Sequence, residues 1–175
     1  MREVIGHIGR FVVLILLQAL ILQNIELGSL SSYFNPFLYI LFIMMLPFDL
    51  PTWAVLTLSC ILGFTLDLFT ETLGMHASAC VLIAFLRPWV LKLLASRDEY
   101  EFRNKPNIHV MGFSWSLYYG FLMALIHHFW FYFIEDFRLI DLHIIILKAL
   151  CSAIFTTALI ISAQYLTNKH RKENG

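Results

Sequence analysis

The sequence predicts an all-α integral membrane protein, a single transmembrane domain over residues 1–175 that forms a six-helix bundle. Apolar residues make up 59% of the chain and charged residues only 14%, whereas ordinary soluble domains carry about 25% charged residues. A soluble domain of this length could not bury so much apolar surface, so lipid must be the solvent for much of it. Apolar runs near the length of a membrane span, and an uneven distribution of lysine and arginine among the loops, point the same way.

Six apolar runs are assigned to helices, most of them close to the roughly 20 residues that a bilayer requires. The first is expected to be a retained helix, because no small-residue cleavage site follows it. The second is short, and Pro47 and Pro51 place a tight turn after it, since two prolines cannot lie inside one regular helix. The one long polar loop covers 95–107. The expected helices are 4–22, 33–48, 51–69, 75–94, 113–134 and 142–166.

The positive charges predict that both termini are cytoplasmic, provided that all six helices span. Only Arg138 then lies in an outer loop, while Arg87 and Lys148 lie within helices. The basic face could touch anionic lipid, although topology alone explains it. The cytoplasmic side receives Arg2, Arg10, Lys92, Arg97, Arg103, Lys105, Lys169, Arg171 and Lys172, and the outer side receives Glu26, Glu71, Glu135, Asp136 and Asp141.

Four of the expected helices carry a stripe of small residues with an ionisable group on or beside it, because residues three or four apart share a helix face. Small residues let helices approach closely in lipid, where no hydrophobic force drives them together. A charge at mid-bilayer costs about 2.5–3.5 kcal/mol on insertion scales, so we expect the stripes to face one another in a compact bundle. The stripes are Ser59, Gly63 and Asp67; Ala77, Cys80, Ala84 and Arg87; Ser116, Gly120, Ala124 and His128; and Lys148, Ser152 and Thr156.

Depth along the helices suggests which charges meet. Asp67 lies near the outer end of the third helix and Lys148 about two turns inside the outer end of the sixth, so the two can pair in the outer half. Arg87 lies about two turns above the inner end of the fourth helix and can reach Asp49 in the inner proline turn. The alternative for Arg87 and Lys148 is snorkelling of the long side chain to the nearer interface.

The sequence offers no pattern that is typical of an enzyme, a metal centre or a cofactor site. It has no metal-ligand spacing, no glycine-rich phosphate loop and no nucleophile beside an evident base. His76 near Glu71 is the nearest thing to an acid–base pair, and a solvated outer loop is the simpler interpretation. His127 and His128 are expected to make polar packing contacts, with proton or ion transport as the alternative. Cys60, Cys80 and Cys151 each stand alone in an apolar run and are expected to be buried thiols.

The segment GFTLDLFTETLGMHA, Gly63 to Ala77, raises the question of why an apolar run admits a carboxylate. Gly63, together with Ser59, permits a close helix crossing. Asp67 can accept hydrogen bonds from a neighbouring helix or from the backbone after Phe69. Gly74 allows the left-handed conformation that a tight outer turn needs. The segment is therefore expected to fix the fold of the third and fourth helices, and direct contact with a partner protein is the alternative.

This segment also resembles the most recognisable part of MreD, the family of bacterial rod shape-determining membrane proteins. The Asn35-Pro36 start of the second helix, the Pro47 and Pro51 turn and the chain length are similar as well. The specific part of the resemblance covers residues 33–90, and the fifth and sixth helices match only in position and hydrophobicity. Gly63, Asp67 and Gly74 correspond to positions of the family motif.

The resemblance implies a non-enzymatic scaffold in the inner membrane that supports lateral peptidoglycan synthesis. The partners that it implies are MreC, the actin-like MreB, the glycosyltransferase RodA and a class B penicillin-binding protein, besides membrane lipid and without nucleic acid. It also implies a fold like the S-components of energy-coupling-factor transporters. A small-molecule-binding subunit of a transporter is therefore the alternative function, although the first helix carries a single alanine, Ala19, where such subunits often carry an Ala-x-x-x-Ala signature.

Overall fold

The computed structural model describes residues 2–25, 33–94, 106–137 and 142–172. Every regular element in these ranges is a helix. Five helices are long and apolar enough to cross a membrane, as expected of an all-α, multi-pass membrane protein. The α-helices are α1 Arg2–Leu20, α2 Ile40–Met44, α3 Thr52–Thr70, α4 Met75–Leu94, α5 Ile108–Met111, α6 Phe113–Asp136 and α7 Leu142–Lys172, and a 3₁₀ helix, Leu22–Asn24, follows α1.

The five long helices occupy the ranges that their apolar runs predict, with ends that differ by a few residues. The largest difference is at the end of α7, which was expected at 166 and continues to Lys172. Its 31 residues correspond to about 46 Å at 1.5 Å per residue, which exceeds the roughly 30 Å of a hydrocarbon layer. The helix is therefore longer than an apolar layer is thick.

The second expected helix, 33–48, differs most from its prediction. Only Ile40–Met44 is α-helical there, and the chain between Phe34 and Phe37 has no regular structure. Pro36 has no N–H, and a proline disfavours helical geometry in the residue before it, here Asn35. We call Asn35–Leu46 the core segment, because all its residues after Asn35 are buried. In place of the expected six-helix bundle, the described ranges contain five long helices around this short, partly irregular segment.

The long helices surround the core segment. α4 packs against both α3 and α6, α7 packs along α6, and α1 contacts α3 and α2. We call the end of the bundle where α3 ends and α4 begins the junction end. The core segment starts beside the last turns of α1 and finishes beside Arg87, in the second half of α4. It therefore runs from the junction end to the opposite end, antiparallel to α1.

Candidate functional site

The irregular start of the core segment is held by a glutamine side chain of α1. Nε2 of Gln18 donates to the carbonyl oxygen of Pro36 at 2.9 Å, and Oε1 of Gln18 accepts from the N–H of Leu38 at 3.0 Å. Gln18 is 3% exposed. An unpaired backbone group costs several kcal/mol in a hydrocarbon layer, so non-helical backbone persists there only where protein groups pair with it. Gln18 supplies two of those partners.

Side chains of α6 and α7 supply the others. Oγ of Ser152 accepts from the N–H of Asn35 at 3.2 Å and donates to the carbonyl oxygen of Tyr33 at 3.0 Å. Oγ1 of Thr156 accepts from the N–H of Phe37 at 3.1 Å. Nε2 of His128 lies 3.0 Å from the carbonyl oxygen of Asn35. The polar stripes of these two helices do turn inward, as expected, but they meet the backbone of the core segment.

The far end of the core segment is fixed by Arg87 of α4. One guanidinium N–H donates to the carbonyl oxygen of Leu46, Nε donates to Oη of Tyr119 at 3.1 Å, and the guanidinium lies over the ring of Phe48. Arg87 is buried and Asp49 is exposed. The expected Asp49–Arg87 pair is therefore wrong, because a backbone carbonyl and a hydroxyl satisfy the guanidinium inside the bundle.

The carboxylate of Asp67, placed in an apolar run, accepts hydrogen bonds at the start of α4. Its Oδ1 accepts from the N–H of His76 at 3.0 Å and from Oγ1 of Thr72 at 2.6 Å, and its Oδ2 accepts from the N–H of Ala77 at 2.9 Å. The first N–H groups of a helix have no partner within the helix, and a carboxylate there also complements the helix dipole. A residue of α3 thus caps the start of α4 across the turn.

α3 and α4 pack closely at Gly63, which brings the Asp67 carboxylate close to the start of α4. A Cβ atom added to Gly63 would lie 2.6 Å from the carbonyl oxygen of His76 and 2.7 Å from the nitrogen of Ala77, with the Cα of Ala77 also too close. Only glycine fits this crossing. Ser59, one turn earlier on the same face, is fully buried, and its hydroxyl has no hydrogen-bond partner among the described residues. Gly74 has a φ of 82° in the turn that precedes α4.

Lys148 pairs with a residue other than the expected one. Its Nζ donates to Oδ2 of Asp136 at 3.1 Å and lies 5.7 Å from the centre of the Tyr132 ring. The side chains of Lys148 and Asp136 are 18% and 34% exposed. The expected Asp67–Lys148 pair is wrong. The Asp67 carboxylate already accepts hydrogen bonds from Thr72 and from the first residues of α4, and Lys148 pairs instead with Asp136 at the end of α6.

A buried cluster of one tyrosine and two histidines joins the core segment to α4 and α6. Oη of Tyr39 lies 2.7 Å from Nδ1 of His76 and 3.0 Å from Nε2 of His127. All three side chains are at most 4% exposed. His76 therefore does not lie in a solvated loop: it is the second residue of α4, and its ring packs against Phe37 and Phe131, which also contact each other.

A cavity of about 150 Å³ opens beside this cluster at the junction end. Its wall is formed by the last turns of α1, the start of the core segment, the α3–α4 turn and the last turns of α6. The residues that carry polar groups on this wall are Gln18, Gln23, Asn35, Thr72, His76 and Glu135. The cavity combines buried polar groups with access from outside the bundle.

Within the described residues, no group of three or more His, Cys, Asp and Glu side chains is placed to hold a metal ion. Of the thiols expected to be buried, Cys80 is buried, Cys151 is half-buried and Cys60 is exposed on α3. The residues that sequence reasoning missed are Gln18 and Tyr39. Each is an isolated polar side chain in an apolar run, and such a residue in a membrane segment signals an internal partner.

Comparisons of the chain with protein-family models, with curated proteins and with solved structures found no match.

Proposed function

We propose that this chain is a non-enzymatic membrane scaffold of the bacterial cell-elongation machinery, similar in role to MreD. The single observation that carries the proposal is the Gly63–Ala77 segment, which resembles the most recognisable part of that family. Its residues act together in the structure: Gly63 sets the crossing of α3 and α4, and Asp67 caps α4. A motif that fixes the shape of a helical hairpin suits a protein whose work is to present surfaces to other membrane proteins.

The use of the interior polar groups supports a scaffold as well. Gln18, Arg87, Ser152 and Thr156 hold backbone groups of the core segment, and Asp67 holds the backbone of α4. Side chains that are committed to fixing the chain are poorly suited to moving an ion or a solute. By this reasoning the bundle is a rigid body whose outer helix faces are available to partner helices.

The partners proposed are MreC first, with MreB, RodA and a class B penicillin-binding protein in the same assembly. The location proposed is the bacterial inner membrane with both termini in the cytoplasm. Support comes from the distribution of lysine and arginine in the sequence, and the proposal takes the core segment as a sixth crossing beside the five candidate spans. An even number of crossings returns the chain to the side on which it began.

Depletion of the protein in its native bacterium tests the scaffold role, with cell shape as the readout and affinity capture of co-purifying membrane proteins alongside. We expect spherical cells on depletion, rods again on re-expression, and MreC among the captured proteins. Re-expression of the Asp67→Ala variant should fail to restore rods. Asp49→Ala is the matched control and should restore them, because Asp49 is exposed and outside the α3–α4 hairpin. Rod-shaped cells after full depletion would contradict the proposal.

A small-molecule-binding subunit of a transporter is the second candidate, because the cavity at the junction end gives it a specific place. Its volume of about 150 Å³ is below the roughly 300–1,000 Å³ that is usual for ligand pockets. A vitamin-sized solute would not fit without a rearrangement of α1 or of the core segment. Depleted cells that keep their shape but lose uptake of one solute would favour this second function over the scaffold.

A further inference from the structure

The Tyr39 hydroxyl joins imidazoles of two different helices and so restricts where their protons can lie. Oη of Tyr39 lies 2.7 Å from Nδ1 of His76 on α4 and 3.0 Å from Nε2 of His127 on α6. A hydroxyl has one proton, so it can donate to one imidazole while it accepts from the other. Both contacts are therefore hydrogen bonds only when one of the two facing nitrogens carries a proton and the other does not.

The second nitrogen of His127 decides the arrangement of the neutral cluster. Nδ1 of His127 is enclosed and has no hydrogen-bond partner among the described residues. A buried N–H without an acceptor is rarer than a buried acceptor without a donor, so the proton of neutral His127 lies on Nε2 and is donated to Tyr39. Tyr39 then donates to Nδ1 of His76, in agreement with the shorter of the two distances. In this arrangement each contact holds one proton, and the enclosed Nδ1 holds none.

One more proton, placed on His76, does not fit the same arrangement. The imidazolium carries a proton on each nitrogen, so its Nδ1 donates to Tyr39. The Tyr39 proton can turn to Nε2 of His127 only if the proton of His127 moves to the enclosed Nδ1; otherwise the Tyr39 proton has no acceptor. Tyr39 and His127 are fully buried, so either arrangement leaves one buried donor unpaired. Protonation of His76 therefore destabilises the contact of Tyr39 with His127.

Of the three side chains, His76 alone lines the cavity at the junction end. The cavity has a volume of about 150 Å³, far above the roughly 10–15 Å³ that one water needs, so a proton can reach His76 from outside the bundle. Nδ1 of His127 has no onward hydrogen bond within the described ranges. The cluster is thus built to bind a proton from one side and not to pass it on.

The groups around His76 act on this proton in opposite directions. The carboxylate of Asp67 accepts from the His76 N–H at 3.0 Å, and Glu135 lies on the cavity wall, so both favour an imidazolium. α1 adds only the neutral side chains of Gln18 and Gln23 to that wall. The unpaired donor opposes protonation. The titratable side chains around the cluster, on α3, the core segment, α4 and α6, are Asp67, Tyr39, Cys80, His127, His128 and Glu135.

We propose that His76, Tyr39 and His127 form a proton-operated latch between the core segment and α6. With His76 neutral, Tyr39 ties the core segment to both α4 and α6. When His76 takes up a proton at the junction end, the tie to α6 weakens and the core segment loosens. On the topology proposed above, that end faces the outer side of the inner membrane, so the latch responds to acidity there. The latch itself depends neither on that topology nor on the scaffold role, which cell shape decides.

A pH titration of histidine-labelled full-length protein in nanodiscs, followed by nitrogen-15 NMR, tests the latch. Above the midpoint, His76 and His127 should each carry a single proton, on Nε2. As the pH falls, protonation of His76 should change the ring nitrogens of His127 at the same midpoint. The amide of Phe42, which bonds the Tyr39 carbonyl, should then exchange about tenfold faster after correction for the intrinsic pH dependence, because one buried donor has lost its acceptor.

Tyr39→Phe removes the hydroxyl that couples the two rings, so His127 should no longer follow His76 and the acid-dependent exchange should be lost. Tyr119→Phe is the matched control, because Tyr119 is a buried tyrosine that bonds Arg87 near the opposite end; it should keep the coupled change. The proposal is overturned if His76 stays neutral until the protein unfolds, or if His127 does not respond in the wild type. An acid response that persists in Tyr39→Phe would also overturn it, since a carboxylate such as Asp67 would then be the source. The wild-type titration decides the matter even where a variant does not fold.

Discussion

The α3–α4 hairpin and the core segment solve the same problem in lipid by opposite means. In the hairpin, Asp67 satisfies the backbone of residues 9 and 10 positions later in the chain, so the cap and the capped helix are neighbours in sequence. In the core segment, Phe37 and Asn35 depend on Thr156 and Ser152, which lie 119 and 117 positions away. The hairpin's cap therefore needs only its own stretch of chain, whereas the core segment's bonds need α1, α6 and α7.

The largest expected effect on stability is in the α3–α4 hairpin. Asp67→Ala leaves two backbone N–H groups and the Thr72 hydroxyl without their acceptor. Each buried orphan costs about 1–3 kcal/mol, so the free energy of unfolding should fall by about 3–5 kcal/mol after partial relaxation. Unfolding in micelles or bilayers measures it, with Asp49→Ala as the exposed control. Equal stabilities for the two variants would refute the capping role.

Gln18→Leu should have the next largest effect on stability, and it acts on the core segment. The change leaves the carbonyl of Pro36 and the N–H of Leu38 without a partner, which should cost about 2–4 kcal/mol. Gln23→Leu, an exposed glutamine one turn beyond α1, is the control and should change little. If both variants unfold alike in the same assay, the core segment does not rely on α1.

Gly63→Ala tests the crossing of α3 and α4 within the hairpin. The new Cβ would lie 2.6 Å from the carbonyl oxygen of His76, so α3 and α4 must separate, at a cost of about 1–3 kcal/mol for overpacking. Gly120→Ala provides the comparison, because its added Cβ would approach Thr157 no closer than 3.4 Å. A Gly63→Ala variant as stable as Gly120→Ala would show that the crossing is looser than described.

The smallest expected effect belongs to the surface ion pair. Lys148→Met should lower stability by no more than about 1 kcal/mol, because partly exposed pairs contribute little. In double-mutant cycles, the Lys148→Met change should couple to Asp136→Asn and remain additive with Asp67→Asn. The reverse pattern of coupling would restore the Asp67–Lys148 pair that the sequence suggested.

The same comparison explains how much of the molecule could be predicted from its sequence. The five long helices follow from apolar runs of sufficient length, and the hairpin follows from Gly63, Asp67 and Gly74, because all of these signals are local. The charge pairs were predicted wrongly, because depth along a helix does not reveal that a backbone carbonyl or a nearer carboxylate will serve instead. Asp136 is the nearer partner of Lys148, and the Leu46 carbonyl is the partner of Arg87.

The irregular conformation of the core segment could not be predicted from the sequence, for a related reason. Its residues are as apolar as those of a helix, and the sequence signal against a helix is confined to Asn35-Pro36 at one end. What makes the irregular backbone possible is a set of side chains on three other helices, and only the fold brings them together. Stripes of Ser, Thr and His on α6 and α7 look like helix-packing stripes in sequence, because their target is a backbone that carries no sequence signal of its own.

Amide hydrogen exchange at Phe37 tests most directly whether distant side chains hold the core segment. The account predicts slow exchange of the Phe37 amide in the wild-type protein and much faster exchange in Thr156→Val, which removes its acceptor at nearly constant volume. The amides of His76 and Ala77 should stay slow in that variant, and Thr65→Val, at a half-buried threonine whose hydroxyl bonds only the Ile61 carbonyl of its own helix, should change none of the three. A Phe37 amide that exchanges rapidly in the wild type, or that is unchanged by Thr156→Val, would contradict the account.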